Sequence, residues 1–435
     1  MNTSIKPFKK FLLLWSGDFI SAIGSGLTSF GLGIYIFEQT GQASYMALVT
    51  LLGFLPSLLL SVPAGVLADR YDRRLLMIIG DSFSAIGLLF ILICLIRGDA
   101  QIWQICVGVA VNSVFTSLLE PSYKATITDL LTPEEYSKAS GLVQVAGSAK
   151  FLISPILAGF LLKISDIKLL LIFDICTFFV TIITTLVVKN SIHSKVSEES
   201  ASFLLEMKEG FRAVTEKKGV LVLVVMGSLV TLCLGIIQVL ASPMVLNFAG
   251  SDTLGIMMTV VALGMLVSSL LLGGLSIKKG YARMLSISLF GAGLFMAMFG
   301  LRQNIWLIGI TGFLFFAMLP FANTSIDYLI RTNIDNNLQG RAWGFIGLIS
   351  QFGYVVAFGA SGLLADYIFT PLLLPGGALA STVGKVFGVG AGRGIGFLIS
   401  LAGLFLCITA VVLYGMKSIR NLEEGSSDEK KNDMA

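Results

Sequence analysis

Twelve mostly apolar stretches recur along the chain, each about the 20 residues a helix needs to cross a bilayer. They lie near 11–37, 43–68, 75–96, 101–120, 139–162 and 168–188, then near 219–241, 253–276, 283–301, 304–327, 342–366 and 394–416. A lone strand in lipid would leave its backbone groups unsatisfied, and no alternating ten-residue pattern recurs, so each run predicts a helix. The first is far longer than the roughly 7–15 apolar residues of a cleavable signal and is expected to stay as the first span.

The order is six runs, a break, and six more. The break, 189–218, is the long polar interval inside the chain. In it Phe203, Leu204, Leu205, Met207, Phe211 and Val214 interleave with Glu206, Lys208, Glu209, Arg212 and Glu216. That spacing predicts an amphipathic helix lying along the membrane surface or the bundle. The expected organisation is a six-helix half over 1–188, a cytoplasmic linker over 189–218, a second half over 219–416 and a polar cytoplasmic tail over 417–435.

Basic residues orient these spans. With the N-terminus in the cytoplasm, 23 of the 30 Lys and Arg fall on cytoplasmic connections and 6 on outer ones. The positive-inside rule therefore predicts both termini in the cytoplasm. One basic residue, Lys150, fits neither side because it lies within the fifth run. The four tryptophans, Trp15, Trp103, Trp306 and Trp343, fall near span ends, where an aromatic belt would have them.

Composition closes off other classes. The chain is 55% hydrophobic and 13% charged, with a mean hydropathy of +0.88; soluble domains carry about 25% charged residues. A soluble enzyme, a disordered chain and a nucleic-acid binder are thereby excluded, and the lipid bilayer is the expected partner. The five cysteines are scattered through apolar runs without metal or disulfide spacing. The single histidine, His193, lies in the linker, which leaves carboxylates to carry any proton inside the bundle. No cofactor or metal is expected. An enzyme would need a convergent nucleophile or metal constellation, and a channel a repeated pore loop; neither pattern is present.

The connection between the second and third runs reads Gly65-Val-Leu-Ala-Asp-Arg-Tyr-Asp-Arg-Arg74, and that between the eighth and ninth, Gly273 to Arg283, repeats its glycine-leucine end and basic turn. Paired six-helix halves with such a repeat are a transporter architecture. Gly65, Leu67, Ala68, Asp69, Arg70, Arg73 and Arg74 resemble the signature loop of the major facilitator superfamily, with Asp72 where glycine is usual. Leu51-Leu-Gly-Phe-Leu-Pro56, Phe203-Leu-Leu-Glu-Met-Lys-Glu-Gly210, Leu338-Gln-Gly-Arg-Ala-Trp343 and Ile172-Phe-Asp-Ile-Cys-Thr-Phe178 are similar to its drug-exporter branch, which includes the macrolide efflux proteins. The resemblance implies an all-α, twelve-span, proton-coupled antiporter of the bacterial cytoplasmic membrane, working as a monomer on a small amphipathic substrate. Siderophore and lipid transporters share the branch, so export of a metabolite or movement of a lipid is the alternative. It further implies that Asp69 meets Arg341, its helix end or both as a cytoplasmic gate, the reading favoured over a loop that only determines topology. Gly65 is expected to let two helix backbones approach.

Charges at membrane depth are functional candidates by default. Asp18 in span one and Lys150 in span five are expected to lie on neighbouring helices, either as a coupling pair or as a fixed bridge. Asp81 is expected to bridge to Arg73 or Arg74, and Asp174 to serve helix packing. Asn112 is either cavity-lining or a helix–helix hydrogen bond, and Glu120 either a coupling acid or interfacial. Gly147, Pro155 and Gly159, with Ser154, are similar to an antiporter motif and predict a kink in span five; the alternative is a plain small-residue packing face. The glycine-rich stretch Tyr367 to Arg393 is expected to be an outer cap or an extended linker.

Overall fold

The computed structural model describes residues 7–132, 135–189, 203–274, 279–334, 338–419 and 421–423. His193, Lys6, Lys195, Lys278 and most of the tail lie outside them, as do the side chains of Asp69 and of 203–207. Among the described residues there is no strand, and twelve helices are long and apolar enough to span a membrane. Spans one to six are Pro7–Thr40, Ala43–Ser61, Arg73–Arg97, Ile102–Leu130, Lys138–Ile164 and Ile167–Val188. Spans seven to twelve are Lys218–Leu246, Ser251–Gly274, Tyr281–Phe299, Ile305–Arg331, Arg341–Leu373 and Arg393–Gly415. The linker carries the expected helix, Phe203–Glu216.

The chain forms two compact units. The first is Met1–Glu199 with Gly250–Thr259, so it includes the opening turns of span eight; the second is Ser200–Ala249 with Val260–Ala435. In the first unit an apolar cluster of Leu27, Leu88, Ile91, Ile105, Leu170 and Leu171 fills the space between spans one, three, four and six.

Glycine sets the closest approach in that unit. Gly17, Gly24 and Gly31, seven residues apart on span one, face Thr184, Thr177 and Leu170, seven apart on span six. A Cβ at each would lie 2.5, 2.6 and 2.5 Å from side-chain atoms of those partners, so a larger residue would require those side chains or the helices to shift. Gly65, by contrast, has nothing within 4 Å of where a Cβ would sit, so it does not mark a close helix approach.

Two spans are broken. Span four divides into Ile102–Thr116 and Leu119–Leu130, and span five into Tyr136–Leu152 and Ser154–Ile164. Pro121 and Pro155 each lack the N–H that would bond the carbonyl four residues earlier, and each break falls in that turn. Proline alone does not decide it, since Pro56, Pro243 and Pro320 sit in unbroken helices.

In the second unit the end of span eleven and the stretch after it are folded rather than extended. A π-turn at Ala365–Phe369 leads to short helical turns at Thr370–Leu373 and Gly384–Phe387. Arg393, buried at 3% exposure, donates from Nη1 to the Phe387 carbonyl at 2.8 Å and pins the loop. The tryptophans divide. Trp103 and Trp306 are exposed as a belt requires, whereas Trp15 donates to the Leu142 carbonyl at 2.6 Å and Trp343 lies under Arg331. An indole N–H or π-face that finds a protein partner has no need of the interface.

Candidate functional site

The polar interior of the first unit begins with Asp174. It sits on span six at 1% exposure because the Gly24 crossing brings span one against it. Ser25 Oγ donates to Asp174 Oδ1 at 3.4 Å, and the Thr177 hydroxyl, bonded to the Asp174 carbonyl, stands 3.5 Å from the same oxygen. Lys150, in the last turn of the helix before the span-five break, lies within electrostatic reach of Asp174. Asp174 is therefore the carboxylate in reach of Lys150, and among the described residues Asp18 and Lys150 form no ion pair. The acidic groups near Asp18 are Glu120 and Asp81, with the Tyr123 phenol also in reach.

Asp81 is 3% exposed on span three, beside the Thr181 hydroxyl and within reach of both Asp18 and Asp174. It makes no ion pair among the described residues, because two turns of helix separate it from the basic loop. Asn112 takes the helix–helix alternative: its Nδ2 donates to the Ser84 carbonyl at 3.2 Å, and Ser84 Oγ donates back to the Asn112 carbonyl at 3.3 Å. Glu120 is exposed and paired with Lys124 at 2.6 Å, one turn along.

The span-five break is held from both sides. Ser154 Oγ donates to the Ile23 carbonyl of span one at 3.0 Å. On the other face lie the first turns of span eight. Thr259 Oγ1 donates to the Leu152 carbonyl at 2.8 Å, and Lys163 pairs with Asp252 at 2.7 Å. A Cβ at Gly159 would lie 2.5 Å from the Ser251 carbonyl oxygen, so this glycine permits backbone contact. Gly147 has open space instead.

The signature loop is an ordered turn. Asp72 caps span three by accepting from the Arg74 N–H at 3.0 Å, and the Arg74 guanidinium pairs with the same carboxylate at 3.0 Å. Partial burial opposes its ionisation, but the hydrogen bonds and charge of Arg74 outweigh it and hold the Asp72 carboxyl below the usual range. Arg73 pairs with Asp129 at 2.7 Å and donates to the Ala68 and Ala125 carbonyls, each at 3.1 Å, tying the end of the helix Ala43–Arg70 to the ends of spans three and four. Arg70 is exposed at the end of the helix Ala43–Arg70.

In the second unit Arg341 pairs with Glu209 of the linker helix. Gly210 lets that helix touch the Arg341 carbonyl, and Phe211 meets Phe345 edge-on at 5.6 Å.

Twelve membrane-length helices with charged groups among them define a polytopic membrane protein. The family model of the Major Facilitator Superfamily matches residues 14–249, and the chain belongs to that superfamily. It is 26% identical to Macrolide efflux protein A of Streptococcus pyogenes, over 82% of this chain and 90% of that protein. It is also 26% identical to the Staphyloferrin A transporter of Staphylococcus aureus, over 76% and 84% of the two. The solved nucleoside transporter NupG superposes with a TM-score of 0.73 at 14% identity, covering 96% of this chain and all of that one, a likeness of fold. The protein is a multi-pass bacterial cell-membrane transporter with macrolide-efflux relatives.

Proposed function

We propose that this protein is a proton-coupled antiporter that exports amphipathic drugs, macrolides first among them, by alternating access, with both termini in the cytoplasm. The observation that carries the reading is the burial of Asp174 within electrostatic reach of Lys150, next to the break in span five. Charge at such depth is expensive and is retained where it is used. A proton on Asp174 cancels the charge that faces Lys150, and its departure restores the attraction. Because Lys150 lies three residues before Ile153, that change acts at the joint between the two pieces of span five. Asp18 and Asp81 continue the acidic line towards Glu120, which is the route we assign to the proton. The relatives named for macrolide efflux support the substrate class.

A second reading, export of a siderophore, is favoured by the relative named Staphyloferrin A transporter. Membrane vesicles carrying the protein, offered a radiolabelled macrolide and a radiolabelled carboxylate siderophore side by side, separate the two. Energy-dependent transport of the macrolide is the expected result; transport of the siderophore alone selects the second reading, and of neither contradicts both.

A further inference from the structure

The two units solve the same problem at the start of their third helix in different ways. A helix N-terminus leaves its first N–H groups without intrahelical partners. In the first unit Asp72, adjacent in sequence, accepts one of them. The corresponding position before span nine is Gly280, at φ +88° with no side chain to offer. Its acceptor comes from 143 residues away: Glu423 Oε1 accepts from the N–H of Gly280 and, at 3.1 Å, of Tyr281, while Oε2 accepts from Ala282 at 3.2 Å.

Glu423 arrives there on a segment that touches two further helix ends. The Leu422 carbonyl accepts from Asn333 Nδ2, just beyond span ten, at 3.0 Å. Leu422 and the Ser418 carbonyl press on Gly219 at the start of span seven, where a Cβ would lie 2.7 Å from each. Ile419 and Leu422 are buried at 1% and 6% exposure. Tyr281 and Tyr328 stack at 3.7 Å, joining spans nine and ten beside the same point.

We propose that residues 417–419 and 421–423 form a strap that fastens the ends of spans seven, nine and ten together, with the Glu423 carboxylate as its buckle. The second unit's helix ends at this face move as one piece while the strap is fastened, and withdrawal of the tail frees three of them at once. The strap makes the tail a control point, since whatever competes for Glu423 acts on all three ends.

Amide hydrogen exchange on the purified full-length protein tests this in peptides covering 217–224, 279–286 and 328–334. In Glu423→Ala, exchange is expected to rise about tenfold at Gly280–Ala282, the scale of a lost helix cap. The strap requires that the peptides from spans seven and ten rise with it. An increase confined to 279–286 would reduce Glu423 to a local cap and overturn the proposal, as would no increase anywhere. Glu423→Gln, which keeps the shape and one acceptor oxygen, gives the same pattern at smaller size and serves if the alanine variant does not fold. Deletion after Met416 is expected to match the alanine variant at all three places.

Discussion

Arg341 and Glu209 are an ion pair between the start of span eleven and the linker helix, 132 residues apart in sequence. Their side chains are 44% and 36% exposed, so the charge itself contributes little, about 0–1 kcal/mol. Its role is to set register, because the Gly210 contact and the Phe211–Phe345 pair need the helix in one place. Glu209→Arg and Arg341→Glu are each expected to increase protease cleavage between 203 and 216. The double exchange is expected to restore protection. Failure of the double variant to recover would mean that this pair does not position the linker.

Gly24 and Gly65 make a matched comparison. A valine at 24 meets Thr177 Oγ1 and Asp174 Oδ1, at 2.6 and 2.9 Å from its Cβ, and is expected to cost about 1–3 kcal/mol of stability. Gly65→Ala enters open space and is expected to leave the melting temperature unchanged or slightly raised. Thermal unfolding in detergent checks both.

Ser154→Ala removes the hydroxyl that bonds the Ile23 carbonyl from the span-five break. The expected loss is about 0.5–1.5 kcal/mol, read as a lower unfolding temperature. A threonine at 154 keeps the hydroxyl but crowds Gly26, whose added Cβ would already meet Ser154. It is therefore expected to do no better than alanine.

Asp72 gives a pH signature. Its carboxyl is held below the ordinary carboxylate range in the folded protein, so its contribution is present above the unfolded value, about 3.9. That contribution is lost as pH falls through the lower folded value. Asp72→Asn keeps a good cap but loses the charge facing Arg74. The variant is thus expected to be less stable than the native protein at pH 6, and the difference to shrink below pH of about 4. A difference constant from pH 3 to 6 would show that ionisation of Asp72 does not matter.

Much of the fold was legible because lipid imposes length and apolarity on every span, and the polar break stands out against them. Pro155 marks a missing N–H at the span-five break, but Pro56, Pro243 and Pro320 lack the same group inside unbroken helices, so the break was only partly legible. Partnerships inside the bundle were less so. The sequence suggests Asp18 as a partner for Lys150, yet each residue along a helix turns the side chain by about 100°, and adjacency of spans does not fix which residue faces which. The stripe Gly17, Gly24, Gly31 carried the needed signal: its seven-residue spacing matches Leu170, Thr177 and Thr184 and places Asp174 against span one. Glu209 for Arg341 and Glu423 for Gly280 had no such signal, because they depend on where a surface segment folds back.

In the proposed mechanism Lys150 and Asp174 couple proton movement to export. That coupling is tested most directly by radiolabelled macrolide transport into proteoliposomes under an imposed pH gradient, with native protein, Asp174→Asn and Lys150→Gln measured together. The native protein is expected to transport only while the gradient stands, stopping when an ionophore collapses it, and both variants are expected to lose the gradient-driven component while still binding the drug. Native transport indifferent to the gradient, or variants that respond to it as the native protein does, would contradict the account.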